Sequence, residues 1–220
     1  MRRVVAGGIV RNRAWILGES ICALRNQSVP PDHIAYLTGD NKDATEDVLK
    51  MFGVEYWVEN TGYPGFERGK NEWNPMRYSI RNLAMLRNDW CKAFEGYTTH
   101  LLTVDSDIIL NPDVLERLLA LDCPLAGAFI PGCIPMDQWD EEANFPRRSP
   151  ECSKRADPFN ATSLFGCYLI RKDFLDKVNW NPFVNDPQGE DVGLARLALE
   201  HSIKMMADPL ATGKHIMHRP

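Results

Sequence analysis

The chain has 220 residues, 44% of them apolar and 25% charged, with a net charge of −5 and a pI near 5.6. That length suits one large domain able to bury its own core, and the acidity gives no general pull toward nucleic acid or anionic membrane. No uncharged apolar run approaches the roughly 20 residues that cross a bilayer, so no membrane span is expected.

The first apolar stretch, MRRVVAGGIVRNR, is broken by Arg11 and has no small-residue cleavage site. It reads as a first strand over Val4–Val10 and not as a secretion signal. Residues Arg13 to Gln27 follow as a helix, with Ile16, Leu17, Ile21 and Leu24 on one face, and Pro30-Pro31 stops it. A strand over His33 to Thr38 ends at Gly39-Asp40-Asn41. A short helix spans Thr45 to Phe52, and a brief strand spans Glu55 to Val58. The loop Asn60 to Pro75, rich in Gly, Asn and charge, leads to a long helix over Met76 to Phe94. His100 to Val104 is short and apolar, as a buried parallel strand should be. Asn111-Pro112 opens another helix as a cap followed by a first-turn proline, with Leu115, Leu118 and Leu119 inward. Leu125 to Ile130 is the fifth strand.

Residues 131–160 break this rhythm with five prolines and no periodicity, and read as an irregular insertion over one end of the sheet. Strand character returns over Ser163 to Ile170. A helix follows over Glu190 to His201, then a strand near Lys204 to Ala207. Alternating strands and helices without an internal repeat predict one α/β domain over residues 1–220, its sheet mostly parallel and flanked by helices. Ligands of such sheets lie at the carboxyl ends of the strands.

Asp105-Ser106-Asp107 stands directly after the strand His100 to Val104. Two carboxylates there repel and lose hydration unless a cation joins them. Oxygen ligands of this kind suit Mg²⁺ or Mn²⁺ on a diphosphate. The plainer reading is a turn in which Asp107 caps a backbone group. Glu190-Asp191 opens a helix after Pro187-Gln188-Gly189, where acidic residues suit the dipole. The preceding run of Trp180, Asn181, Pro182, Phe183 and Asn185 reads as an acceptor-side wall, and a carboxylate beside it could act as general base. Arg77, Arg81 and Asn88 share one side of the long helix, with Arg87 on a neighbouring side. A solvated face would explain all four. His215 and His218, taken alone, are tail histidines.

The order of these pieces resembles the GT-A fold glycosyltransferases, in particular the broad glycosyltransferase family two-like group. LLTVDSDIILNPDVLERLLA is the stretch most similar, followed by FGCYLIRKDFLDKV and GEDVGLARLAL. The resemblance implies that Asp107 and His215 ligate Mn²⁺ or Mg²⁺, with Asp105 near the ribose or reaching the metal through water. It favours His215 over His218 on its spacing from Asp191. It implies Asp191 as catalytic base with Glu190 beside it, and Gly166 as a close approach to the donor sugar or acceptor. Val10, Arg11 and Asn12 would line the base and ribose pocket, Asp40 would read the base edge, and Arg87 and Asn88 would touch the nucleotide. Ser106 completes the DSD turn on the donor side.

The chain departs from the family in GGIVRNR, which lacks the usual proline, and in TGDN where a double-Asp turn is common. A UDP-sugar is the expected donor and a hydroxyl the expected acceptor, on a glycan, lipid carrier, metabolite, protein or modified nucleic-acid base. Net acidity counts against duplex DNA. A sugar-nucleotide pyrophosphorylase-like enzyme would need a Gly-rich basic loop that GGIVRNR renders poorly. A non-catalytic nucleotide-sugar binding module would not need Asp107, Asp191 and His215 together. Six scattered cysteines with no CxxC pair read as reduced thiols of a cytoplasmic protein.

Overall fold

The structure is a computed structural model that describes residues 1–62, 73–184 and 186–216, without the side chains of 73–81. Most of the expected loop Asn60 to Pro75, the faces assigned to Arg77 and Arg81, Asn185 and His218 lie outside the described residues.

Five elements fall on the expected bounds: β1 (Val4–Val10), β2 (His33–Thr38), α2 (Thr45–Phe52), β3 (Glu55–Val58) and β4 (His100–Val104). Helix α1 (Leu17–Arg25) is shorter than its apolar pattern, because residues 14–16 form a turn before it. Helix α3 (Trp73–Lys92) starts earlier than expected. After β4 come β5 (Ile108–Leu110), α4 (Val114–Ala120) and β6 (Leu125–Ala128). Asn111 makes no side-chain cap on α4. The buried Gln27 instead accepts from the Leu115 amide (2.9 Å) and donates to the Asn111 carbonyl (2.8 Å).

The stretch 131–160 is less irregular than its prolines suggest. It holds a hairpin of β7 (Gln138–Asp140) and β8 (Phe145–Arg147), a 3₁₀ turn at Cys152–Lys154, and β9 (Phe159–Asn160). Asp137 pins it, accepting from the Ser149 amide and hydroxyl and pairing with Arg155. Strand β10 (Cys167–Arg171) begins later than expected and runs straight into α5 (Lys172–Lys177), a helix the pattern did not reveal. Helix α6 (Glu190–Glu200), β11 (Met205–Asp208) and β12 (Gly213–His215) complete the order.

Eight strands make one sheet in the order β3-β2-β1-β4-β10-β6-β11-β9. Strands β3, β2, β1 and β4 are mutually parallel, as are β6 and β11, whereas β10 runs antiparallel between β4 and β6. Its two faces bury separate apolar layers, Trp90, Tyr168, Phe174 and Trp180 on one and Leu17, Ile21, Leu102 and Leu115 on the other. Gly7 is compulsory in β1: its φ is +135°, and a Cβ would lie 2.0 Å from the Ala35 carbonyl oxygen. Chain order reverses about β1, since β2 lies on one side and β4 on the other, so a crevice opens beyond their carboxyl ends.

Candidate active site

The turns after β1 and β2 are knitted together at that crevice. Thr38 donates to the Val10 carbonyl (2.8 Å), Asn41 accepts from the Asn12 amide (3.0 Å), and Asn12 accepts from the Lys42 amide (2.6 Å). Asn12 takes a left-handed conformation with φ 53°. The Val10 side chain belongs to the core at 1% exposure, so at most its backbone faces the crevice. The Arg11 Nε donates to the Asp40 carbonyl (3.2 Å). Asp40 itself accepts from the Thr61 amide and hydroxyl and from the Gly62 amide. Desolvation opposes its ionisation, but these donors and Arg11 hold its carboxyl below the usual range. Both Asp40 oxygens therefore support the 61–62 turn.

Asp105, Ser106 and Asp107 occupy the tight link between β4 and β5. The Asp105 amide donates to the Gly166 carbonyl (2.8 Å) and the Ile108 amide to the Asp105 carbonyl (3.0 Å). Ser106 is buried, and the two carboxylates diverge. Asp105 meets Arg87 Nη2 at 2.6 Å; Asp107 meets Arg13 Nη2 at 3.2 Å through Oδ2 and His215 Nε2 at 3.5 Å through Oδ1. The histidine arrives by register: β12 pairs antiparallel with β5, His215 opposite Ile108, and the Ile216 amide donates to the Asp107 carbonyl (2.9 Å). On its other side His215 Nδ1 lies 3.5 Å from Cys133 Sγ.

Gly166 sits behind this turn with φ +68°, and a Cβ there would meet Ile108 and Cys133 at 2.9–3.0 Å. The backbone conformation and the packing against Ile108 and Cys133 both require glycine here.

Arg87 is the hub of the site. Its side chain is 8% exposed, its Nη1 donates to Thr103 (3.1 Å), its Nε lies 3.5 Å from Glu190, and its guanidinium stands 5.5 Å from the Phe183 ring centre. Arg87 is thus no solvated surface residue but a buried cation that joins the end of β4 to the start of α6. Asn88 clasps the backbone of Phe183, accepting from its amide (2.8 Å) and donating to its carbonyl. Trp180 and Phe183 are 3% and 2% exposed, so the expected acceptor wall is a core anchor, with only Asn181 and Val184 outward among its described residues.

Asp191 accepts from the Tyr168 hydroxyl at 2.8 Å. Burial pushes its carboxyl up to about 7, against the pull of Arg87 and the Tyr168 hydroxyl. Burial likewise raises Glu190, opposed by Arg87. The dipole at the helix start favours the ionised carboxylate, but desolvation outweighs it, because a dipole contributes about 1 kcal/mol and a buried carboxylate costs several.

Among the described residues no three His, Cys, Asp or Glu side chains converge into a cation cage. Asp107 Oδ1 and His215 Nε2 converge as a pair. That donor set fits an ion of the Mg²⁺ or Mn²⁺ type, which takes one or two protein ligands and completes its shell with phosphate oxygens and water.

No family model matches the sequence, and no curated protein matches it. Solved structures do. The chain superposes on Staphylococcus aureus TarS 1-349 in complex with UDP-GlcNAc at a TM-score of 0.64 and 14% identity, covering 98% of this chain and 59% of that one. A mannosyltransferase from Pyrobaculum calidifontis, in complex with GDP-Man and Mn²⁺, aligns at a TM-score of 0.61 and 13% identity, covering 97% and 57%. The chain has a GT-A fold. It spans just under three fifths of each solved chain. Within this GT-A fold Arg13, Tyr168 and Cys133 are site neighbours that the sequence did not mark. Arg13 passed for the first residue of α1, Tyr168 for a core aromatic and Cys133 for a scattered thiol.

Proposed function

We propose that the protein is a glycosyltransferase that moves a sugar from a nucleoside diphosphate to a hydroxyl acceptor with inversion, and that residues 1–220 form one catalytic domain. The observation that carries this reading is the pair of acidic groups held on one buried arginine: Asp105 at the end of β4 and Glu190 beside Asp191 at the start of α6, both on Arg87. The first group suits the hydroxyls of the donor's ribose, the second the acceptor. Asp191 in its ionised form takes the acceptor's hydroxyl proton as that oxygen bonds to the anomeric carbon. The bond from that carbon to the diphosphate oxygen breaks, and its electron pair leaves on the nucleoside diphosphate. A base titrating near 7 is matched to neutral pH. Asp107 and His215 would hold Mg²⁺ or Mn²⁺, which when bound supplies Lewis-acid neutralisation of the leaving diphosphate. Asp105 and Ser106 lie on the ribose side in this reading, and Arg11, Asn12 and Asp40 at the base.

UDP is the favoured nucleotide, supported by the UDP-GlcNAc complex among the similar structures; GDP is the other arm of the test because of the GDP-Man complex. Six unpaired cysteines favour a reducing, cytoplasmic setting. No helix among the described residues is long and apolar enough to cross a membrane.

Incubation with UDP-sugars and GDP-sugars in Mn²⁺ should release nucleoside diphosphate slowly without acceptor and stop on EDTA. Full release in chelator would remove the metal role of Asp107 and His215. Release from GDP-sugars alone would replace uridine by guanosine and keep the reaction.

A further inference from the structure

We propose that Arg13 is the chain's own cation for the donor's second phosphate, held in place by Asp107 until the nucleotide arrives; this rests on the glycosyltransferase reading above. Four carboxyl groups, those of Asp105, Asp107, Glu190 and Asp191, gather at this end of the sheet. A diphosphate brought among them needs positive charge beyond a single divalent ion. Arg87 is buried and committed to Asp105 and Glu190. Arg13 differs. Its side chain is 38% exposed, so it reaches solvent at the crevice mouth. Its Nη2 touches Asp107 at 3.2 Å, its Nη1 reaches the Asn12 carbonyl only at 3.4 Å, and its Nε is buried with no hydrogen-bond partner. A guanidinium carries five N–H donors in a planar fork, so most of this one's capacity is unspent.

The base of the side chain is firm. The Arg13 amide donates to Thr45 Oγ1 at 2.8 Å, which ties the turn after β1 to the first residue of α2. Arg13 occupies only Oδ2 of Asp107, and Oδ1 faces His215. A metal on the Oδ1 side and a guanidinium on the Oδ2 side are therefore compatible, and both cations border the same place. A guanidinium–phosphate pair in a partly closed crevice is worth about tenfold in affinity or more.

Titration calorimetry on the full chain with Mn²⁺ present, using UDP, UMP, GDP and GMP, tests this. In Arg13→Gln, whichever diphosphate the wild type binds should weaken about tenfold, while its monophosphate weakens less than about threefold. Arg13→Lys should fall between, keeping the charge without the fork. Mn²⁺ binding alone, followed by electron paramagnetic resonance, should be no weaker in Arg13→Gln, because a competing cation has left Asp107. Equal weakening of mono- and diphosphate would mean that Arg13 only shapes the turn, and unchanged diphosphate affinity would remove it from the site; either overturns the inference and leaves the glycosyltransferase reading standing. A wild type that binds neither diphosphate better than its monophosphate would bring down the donor-site reading, and this inference with it.

Discussion

Two acidic pairs face each other across the crevice, and they are neutralised in opposite ways. The pair after β4 divides its carboxylates between two arginines, Asp105 to Arg87 and Asp107 to Arg13, each at hydrogen-bonding distance. In the pair that opens α6, Glu190 lies 3.5 Å from the same Arg87, and Asp191 has a phenol in place of a cation. The difference teaches what burial without a full counter-charge does: it raises both carboxyls of the second pair, Asp191 to about 7, while the first offers ligand oxygens to an incoming cation.

The sharpest way to break this contrast is Asp191→Asn, which keeps shape and removes basicity. Turnover should fall on the order of 10²–10⁴-fold with nucleoside diphosphate affinity nearly intact. Kinetics set beside calorimetry decide it, and normal turnover would reduce Asp191 to a helix-opening residue with Glu190 next in line.

Next comes the shared cation. Arg87→Met should lower stability by about 3–5 kcal/mol, because Glu190 is left buried and unpaired; Asp105, a third exposed, adds little. The sign with pH follows from Glu190. Its folded carboxyl is already raised and rises further without Arg87, so protonation relieves the fault. The deficit in melting temperature should therefore shrink as pH falls and widen as pH rises. A deficit independent of pH would mean that lost packing against Phe183, and no stranded carboxylate, is the cause.

The smallest effect belongs to Tyr168. Turnover should rise with pH through about 7 as Asp191 loses its proton, in a field set by Arg87, Glu190, Asp105 and the Tyr168 hydroxyl. The phenol is itself raised well above its ordinary value by burial and by Asp191, so it remains a donor throughout. Tyr168→Phe deletes the bond that favours the ionised carboxylate. It should move the midpoint upward by about one pH unit, for a bond of about 1.4 kcal/mol, and leave the high-pH plateau in place. A midpoint that stays or falls would assign the profile to another group.

The elements of the first half were legible because each carries its own local signal. The strand His33 to Thr38 is apolar and ends at Gly39-Asp40, and Thr45 to Phe52 is amphipathic and ends at Gly53 in a left-handed conformation. The DSD turn and the Glu-Asp helix start could be placed by the same means. What stayed hidden depends on pairing over long stretches of chain. Arg13 meets Asp107 across 94 positions, and helical spacing located Arg87 on the helix without telling that its side chain is buried. The hairpin at 138–147 was masked by prolines, since Pro146 sits in β8 where only two strands pair.

The antiparallel strand β10 has a consequence for synthesis. It fills the gap between β4 and β6, yet it leaves the ribosome after both. Until residue 171 has emerged, β4 has a bare apolar border, and β6 lacks both neighbours, since β11 follows later still. A nascent chain halted near residue 160 would thus present one open edge of HLLTV and the wholly unpaired LAGA to other copies of itself. Fragments ending there should aggregate where fragments carried through β11 stay dispersed, making the sheet's closing strand also its safeguard during translation.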